Sequence, residues 1–175
     1  ARSYQNLLIN ELPKGDFAFT MARQVIMDVF YYYQLTALCD SNDATLAAIA
    51  AKAIKETEYH LRRSTDWTMR LGDGTEESHQ RMQNAFDQIW GYTTEIFEQD
   101  ELEQQLVGKG IAANTEQLKP RWKLKMSEIL EQATIEMPVS TWTVRGGREG
   151  VHTEHLGHLL TDLQYLQRSY PGQQW

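Results

Sequence analysis

The sequence has little of what marks secreted, membrane or nucleic-acid-binding proteins. Cys39 is the single cysteine of the 175 residues, which excludes an internal disulfide and favours a reducing compartment. No apolar run approaches membrane-spanning length and no signal sequence is visible, so we expect a cytoplasmic protein without a membrane partner. The net charge is −7 and Lys and Arg form no tail or block, so we expect no nucleic-acid partner.

The apolar content is sufficient for one folded domain. Of the residues, 41% are hydrophobic, and a chain of this length can bury a real core. Residues 1–175 are therefore interpreted as a single domain. Repeats and low-complexity stretches are absent.

Residues 16–71 are predicted to form a helix hairpin. The segment 16–39 is apolar nearly all round its axis, so it should be buried on most sides. The segment 43–71 carries an inward seam at alternating steps of three and four residues, which includes Leu46, Thr57 and His60. The short link 40–42 predicts that the two helices pack antiparallel.

Residues 73–175 are predicted to form further helices. Asp73 should cap the first of them together with Glu76, and Asn114 should cap a later one. The segment 134–147 is expected to be irregular or extended. The last helix is expected to bury five leucines, which are Leu156, Leu159, Leu160, Leu163 and Leu166.

The hairpin contains an incomplete set of metal-binding residues. A dimetal carboxylate site in a helical bundle uses Glu-x-x-His pairs, because residues three apart share a helix face. His60 lies on the predicted inward seam, but Thr57 stands where the Glu would be, and Glu56 is rotated by about 100°. Asp28 is a second candidate; as a buried acid it is either a ligand position or a group with a hydrogen-bonding or ionic partner. We interpret Asp28, Glu56, Thr57 and His60 as a degenerate metal site and expect no metal there.

A second cluster of polar residues lies near the C-terminus. His152 and His155 share a helix face, with Glu154 beside them. A single metal ion is conceivable there, but no Cys or further carboxylate is arranged to help hold it. We favour a structural anchor in which His152, Glu154 and His155 fix the start of the last helix onto its neighbours.

Charged surface residues leave two alternatives open. An acidic run lacks any base and is interpreted as a solvated face rather than a docking patch; it consists of Glu95, Glu98, Asp100, Glu101 and Glu103. Two basic groups could meet phosphates, although a solubilising role is favoured; they are Lys119, Arg121, Lys123 and Lys125, and Arg145 with Arg148.

Several segments together resemble a known protein family. They are 51–62, 150–157 with the sequence GVHTEHLG, and 163–168 followed by 171–175, with agreement at 6–8 and 22–24 as well. The chain resembles the C subunits of bacterial phenylacetyl-CoA 1,2-epoxidase complexes along essentially its whole length. The resemblance implies a ferritin-like fold and a subunit that has lost its di-iron ligands and supports a catalytic A subunit. It also implies a small B subunit, iron in the A subunit rather than here, and NADPH acting through a separate reductase.

The resemblance also implies a difference in length. Family members begin with two further bundle helices, which we expect to be missing from this chain, so that a stripe of the 16–39 helix would lack cover. The leading hypothesis is a non-catalytic structural subunit of a phenylacetyl-CoA epoxidase. The alternatives are a catalytic oxygenase subunit with a degenerate metal site and a module that binds coenzyme A thioesters through the basic groups.

Overall fold

The computed structural model describes residues 4–174, and in this range the regular structure is entirely helical. The α-helices are α1 (Phe17–Leu38), α2 (Ala44–Gly72), α3 (Glu76–Ile89), α4 (Glu101–Gly108), α5 (Thr115–Gln132) and α6 (Glu154–Ser169). Short 3₁₀ turns lie at Leu8–Asn10, Trp90–Tyr92, Glu95–Phe97 and Gly147–Glu149. The predicted all-α, ferritin-like class is confirmed, and none of the described helices is long and apolar enough to cross a membrane.

The α1–α2 hairpin forms as predicted. Asp16 caps α1 by accepting a hydrogen bond from the Phe19 amide, and Asp43 caps α2 in the same manner. Residues 25–30 of α1 are all buried, so the central turns of this helix are enclosed by α2, α3 and α5. The expectation of an uncovered stripe along α1 is therefore wrong for its central turns, because α3 and α5 complete the cover that α2 begins. The prediction that two bundle helices are missing stays a prediction.

One core connects the two halves of the chain. Its members come from α1, α3 and α5, from the turns after α3, and from the segments before α1 and after α5. The largest enclosed side chains include Ile9, Ile26, Phe86 and Trp122. The Trp122 indole donates a hydrogen bond to the Ile26 carbonyl across 3.0 Å, which satisfies its buried polar group. The later helices α3 and α5 thus cover the hairpin instead of forming a separate layer.

The cap of α3 differs from the prediction. Asp73 follows the end of α2 and its backbone amide bonds to the Met69 carbonyl, so it belongs to the preceding helix. Thr75 has the extended backbone of a cap, and its hydroxyl oxygen accepts from the Ser78 amide. The predicted cap Asn114 is confirmed, and Asp100 caps α4.

The last helix is far more exposed than predicted. Leu156, in its first turn, is buried, whereas Leu159, Leu163 and Leu166 are 46%, 65% and 48% exposed. The helix is anchored to the domain at its first turn, and further along the Gln164 amide donates to the Tyr4 hydroxyl at 3.0 Å, but this contact leaves the three leucines largely uncovered. The expectation that this face is buried is wrong for residues 4–174.

Candidate functional site

Asp28 is buried in the α1–α2 hairpin, and both oxygens of its carboxylate accept hydrogen bonds. One oxygen accepts from the Gln24 amide at 2.8 Å and the other from the Ser64 hydroxyl at 2.7 Å. Burial raises the pKa of Asp28, while the bonds from Ser64 and Gln24 and the nearby charges of His60 and Arg63 oppose that rise. The hydrogen-bonding partners of this buried acid are thus a glutamine and a serine.

His60 is exposed, which corrects its placement on the inward seam. Its Nε2 lies 3.6 Å from an oxygen of Glu56, whose side chain is 79% exposed, so the two form a surface pair one helical turn apart. Thr57 is half-buried and donates to the Ala53 carbonyl of its own helix at 3.2 Å. The structure therefore does not gather the predicted residues into one site.

These residues do not fit a di-iron carboxylate centre. Both oxygens of Asp28 already accept hydrogen bonds, Thr57 is neutral, and His60 faces solvent with Glu56. Within residues 4–174, no three His, Cys, Asp or Glu side chains lie close enough to share a metal ion. A dimetal centre needs carboxylates from several helices converging on one point, and the donors of this hairpin diverge.

A second polar cluster joins the two ends of the described chain. We call it the terminal latch, and it consists of Asn6, Glu11, His152 and Thr153. The carboxylate of Glu11 is 1% exposed and accepts from the His152 ring at 2.6 Å and from Asn6 at 2.8 Å. Its second oxygen accepts from the backbone amide and the hydroxyl of Thr153, both at 2.8 Å. The latch ties the segment before α1 to the start of α6.

The geometry of His152 indicates a charged imidazolium. Nδ1 faces the Glu11 carboxylate and Nε2 faces the Tyr4 carbonyl at 2.8 Å, so both ring nitrogens must carry hydrogen to donate. The hydrogen bond to Glu11 is the main cause that raises the pKa of His152. Burial alone would raise the pKa of Glu11, but the bonds from Thr153, His152 and Asn6 outweigh burial and lower it.

Glu95 is a second buried carboxylate beside the latch. It is 1% exposed, which overturns its assignment to a solvated acidic face. One oxygen accepts from the Leu8 amide at 2.8 Å, and the other from the amides of Gly146 and Gly147 at 3.0 and 2.8 Å. Gly147 is required at its position, because a Cβ there would lie 2.2 Å from the Asn6 carbonyl oxygen. Glu95 thus fastens the same two chain segments that Glu11 joins.

The remaining members of the predicted anchor contribute less. Glu154 is exposed and His155 is half-buried, and neither side chain forms a hydrogen bond to residues 4–174. Glu11 and Glu95, which were not among the predicted anchor residues, provide the contacts instead. The anchoring role of His152, Glu154 and His155 stays a prediction.

The acidic run and the arginines after α5 neutralise one another. Arg145 pairs with Glu98 at 2.9 Å, and Arg148 pairs with Glu103. Glu103 also completes the capping box of α4 with Asp100. Both arginines therefore already form ion pairs within this chain, which makes them weaker candidates for phosphate binding.

Comparison with known proteins identifies the family. The model of a family described as phenylacetic acid catabolic protein matches residues 1–175. The chain belongs to this family. It is 45% identical over 174 residues to the C subunit of the 1,2-phenylacetyl-CoA epoxidase of Escherichia coli strain K12, an alignment that covers 99% of this chain and 70% of that protein. The match confirms the resemblance that segments such as 51–62 and 150–157 carry.

Proposed function

We propose that this chain is the structural subunit of a multicomponent di-iron monooxygenase that epoxidises phenylacetyl-CoA in the cytoplasm. It docks and stabilises a catalytic A subunit, which holds the iron, and a B subunit and an NADPH-dependent reductase complete the system. The family and the relative from the epoxidase complex support a place in phenylacetate catabolism. The division of labour between the subunits is our inference from the residues of this chain.

The observation that carries the non-catalytic role is the state of Asp28. Both oxygens of this buried acid accept hydrogen bonds from Gln24 and Ser64, and within residues 4–174 it belongs to no group of three His, Cys, Asp or Glu side chains that could hold a metal ion. Both donors are neutral, so nothing in the contact depends on a metal. The neutral Thr57 and the exposed His60 agree with that interpretation. An alternative role as a catalytic oxygenase subunit requires these residues to abandon their present partners.

The proposal is tested by reconstitution. The catalytic subunit, the B subunit and the reductase are assayed for epoxidation of phenylacetyl-CoA with and without this chain. We expect turnover to require this chain and to be the same with the wild type and with the double variant Asp28→Asn/His60→Ala. Turnover that needs no such chain would refute the structural role. A loss of turnover in the double variant, with assembly and thermal stability unchanged, would favour the catalytic alternative.

A further inference from the structure

A small cavity lies beside α5, at residues outside the α1–α2 hairpin. Its volume is about 200 Å³, and three chain segments enclose it: the turns that follow α3, the first half of α5, and the extended segment after α5. Its aromatic wall includes Trp90 and Phe97, whose rings lie 5.5 and 5.3 Å from that of Trp122. This wall is continuous with the core.

Two lysines of α5 stand at this cavity. Lys119 and Lys123 are four residues apart, so they share one helix face. The Lys119 ammonium lies 5.8 Å from the centre of the Phe97 ring, a contact that holds it beside the aromatic wall. Neither lysine forms an ion pair with any residue of 4–174, in contrast to Lys125 of the same helix, which pairs with Glu128.

The rest of the lining is neutral. No Asp or Glu of residues 4–174 lines the cavity, and Thr94 and Thr143, whose hydroxyls can donate hydrogen bonds, are among its lining residues. The larger groove of about 510 Å³ between α1, α2 and α5 is different, because Glu58, Asp66 and Glu128 balance its cations. The small cavity is thus positive in a chain whose net charge is −7.

We propose that this cavity binds a phosphate monoester carried next to a flat ring, as in an adenosine nucleotide. Lysine ammonium groups are point-charge binders of phosphate, the threonine hydroxyls add neutral donors, and Trp90 offers a ring face for stacking. A cavity of about 200 Å³ is below the usual size of a whole cofactor site, so it would hold the phosphate and the adjoining ring and leave the rest of the ligand outside.

Two sources supply this chemistry, and the test separates them. Coenzyme A carries a phosphate monoester on its adenosine ribose, and free adenosine nucleotides carry one at the other end of the same sugar. The coenzyme A source rests on the proposed function, whereas the free nucleotide does not. Because the readout is binding rather than turnover, failure here is distinguishable from failure of the proposed function.

The experiment is calorimetry on the full-length protein in its assembled form, and the sites per assembly are counted because the catalytic subunit is expected to bind coenzyme A at a site of its own. The probes are adenosine 3′,5′-bisphosphate, coenzyme A, dephospho-coenzyme A and AMP. We expect the bisphosphate to bind the wild type about tenfold or more tightly than the Lys119→Gln/Lys123→Gln variant, with affinity that falls as salt is added. The matched control is Lys52→Gln/Lys55→Gln, which removes two exposed charges from α2 and should leave the affinity unchanged.

Two results would support the cavity as a phosphate site. Tighter binding of coenzyme A than of dephospho-coenzyme A, lost in the cavity variant, assigns it to the coenzyme. Binding of AMP as tight as that of coenzyme A, also lost in the cavity variant, assigns it to free nucleotides. Absence of any binding up to millimolar probe overturns the proposal. So does binding that the Lys119→Gln/Lys123→Gln change leaves intact in a protein of unchanged melting temperature.

Discussion

The hairpin and the terminal latch each combine carboxylates with a histidine, yet they use them differently. In the hairpin, Asp28 is buried without His60, which pairs with Glu56 on the surface. In the latch, Glu11 and His152 are in direct contact and join distant parts of the chain. In both regions the buried acid accepts hydrogen bonds at both oxygens from groups of this chain, and in the latch these bonds join distant segments. Closeness of acids and histidines in the sequence does not indicate which of them meet.

The largest effect is expected from Glu95→Ala. The change leaves the amides of Leu8, Gly146 and Gly147 without their acceptor in a buried region, so the free energy of unfolding should fall by about 3–5 kcal/mol. Chemical denaturation measures the loss. The control is Glu131→Ala at an exposed position of α5, which should change little. A loss near that of the control would show that Glu95 does not fasten the two segments.

Glu11→Gln should be the next most damaging change. The amide can replace one oxygen acceptor, but its NH₂ group faces donors from Thr153 or from His152 and Asn6, so about 2–3 kcal/mol should be lost. Urea unfolding of this variant beside Glu154→Gln measures the difference. If the two variants are equally stable, Glu11 does not hold the latch together, and Glu154 is again the candidate for the anchoring residue.

The latch should also make stability depend on pH. The pKa of His152 is raised in the folded state, so its contribution is complete below the ordinary value of 6.5 and is lost as pH rises through the raised value. The pKa of Glu11 is lowered, so its contribution is complete above 4.5 and is lost as pH falls through the lowered value. The latch is therefore strongest between these two pH values.

Melting temperatures measured across pH check this window. His152→Gln should remove the alkaline part of the dependence, whereas His158→Gln, at an exposed position of α6, should retain it. If the melting temperature of His152→Gln still declines toward alkaline pH, another group causes that pH dependence.

Asp28→Asn should cost much less than the latch variants. The asparagine oxygen can still accept from Gln24, and its NH₂ can donate to the Ser64 hydroxyl, which then donates to the Leu61 carbonyl. The expected change is within about 1 kcal/mol, and Asp28→Ala should be worse because it removes the acceptor. Because burial raises the folded pKa of Asp28, the wild type gains stability as pH falls through that pKa, and Asp28→Asn should lack the gain. An unfolding series in which Asn is as damaging as Ala would mean that the charge itself is needed.

The smallest effect is expected from His60→Ala. Its ring is exposed and pairs only with the exposed Glu56, so the loss should stay below about 0.5 kcal/mol. Differential scanning calorimetry measures the melting temperature of His60→Ala and of the control Glu58→Ala, which changes another exposed residue of α2. A melting temperature that falls by several degrees in His60→Ala but not in Glu58→Ala would contradict the exposed position of His60 and support its placement on the inward seam.

Local patterns in the sequence predicted the helices well. The caps Asp16, Asp43, Asp100 and Asn114 act through neighbouring amides, so they can be recognised from a few residues. The burial of α1 followed from its nearly continuous apolar surface. The leucines of α6 show the limit, because helical spacing indicates that a face is apolar but not whether another element covers it.

The polar contacts could not be predicted in the same way. Glu11 and His152 are 141 residues apart, and Glu95 meets amides 87 and 52 residues away, so only the folded chain brings them together. A weak signal existed, since Glu11 lies beside Leu12 and Glu95 beside Ile96, and an acid within an apolar run needs a partner. The exposure of His60 was missed because one residue's rotation about a helix axis decides which face it occupies.

The central claim is that Asp28 and His60 are not metal ligands of the assembly. The most direct test is the iron content of the assembly formed with the catalytic partner, measured for the wild type and for Asp28→Asn/His60→Ala. The account predicts the same iron per assembly in both, because Asp28 is held by Gln24 and Ser64 while His60 lies on the surface beside Glu56, so the two residues do not form a shared site. A loss of iron in the variant, from an assembly of unchanged composition and melting temperature, would contradict it.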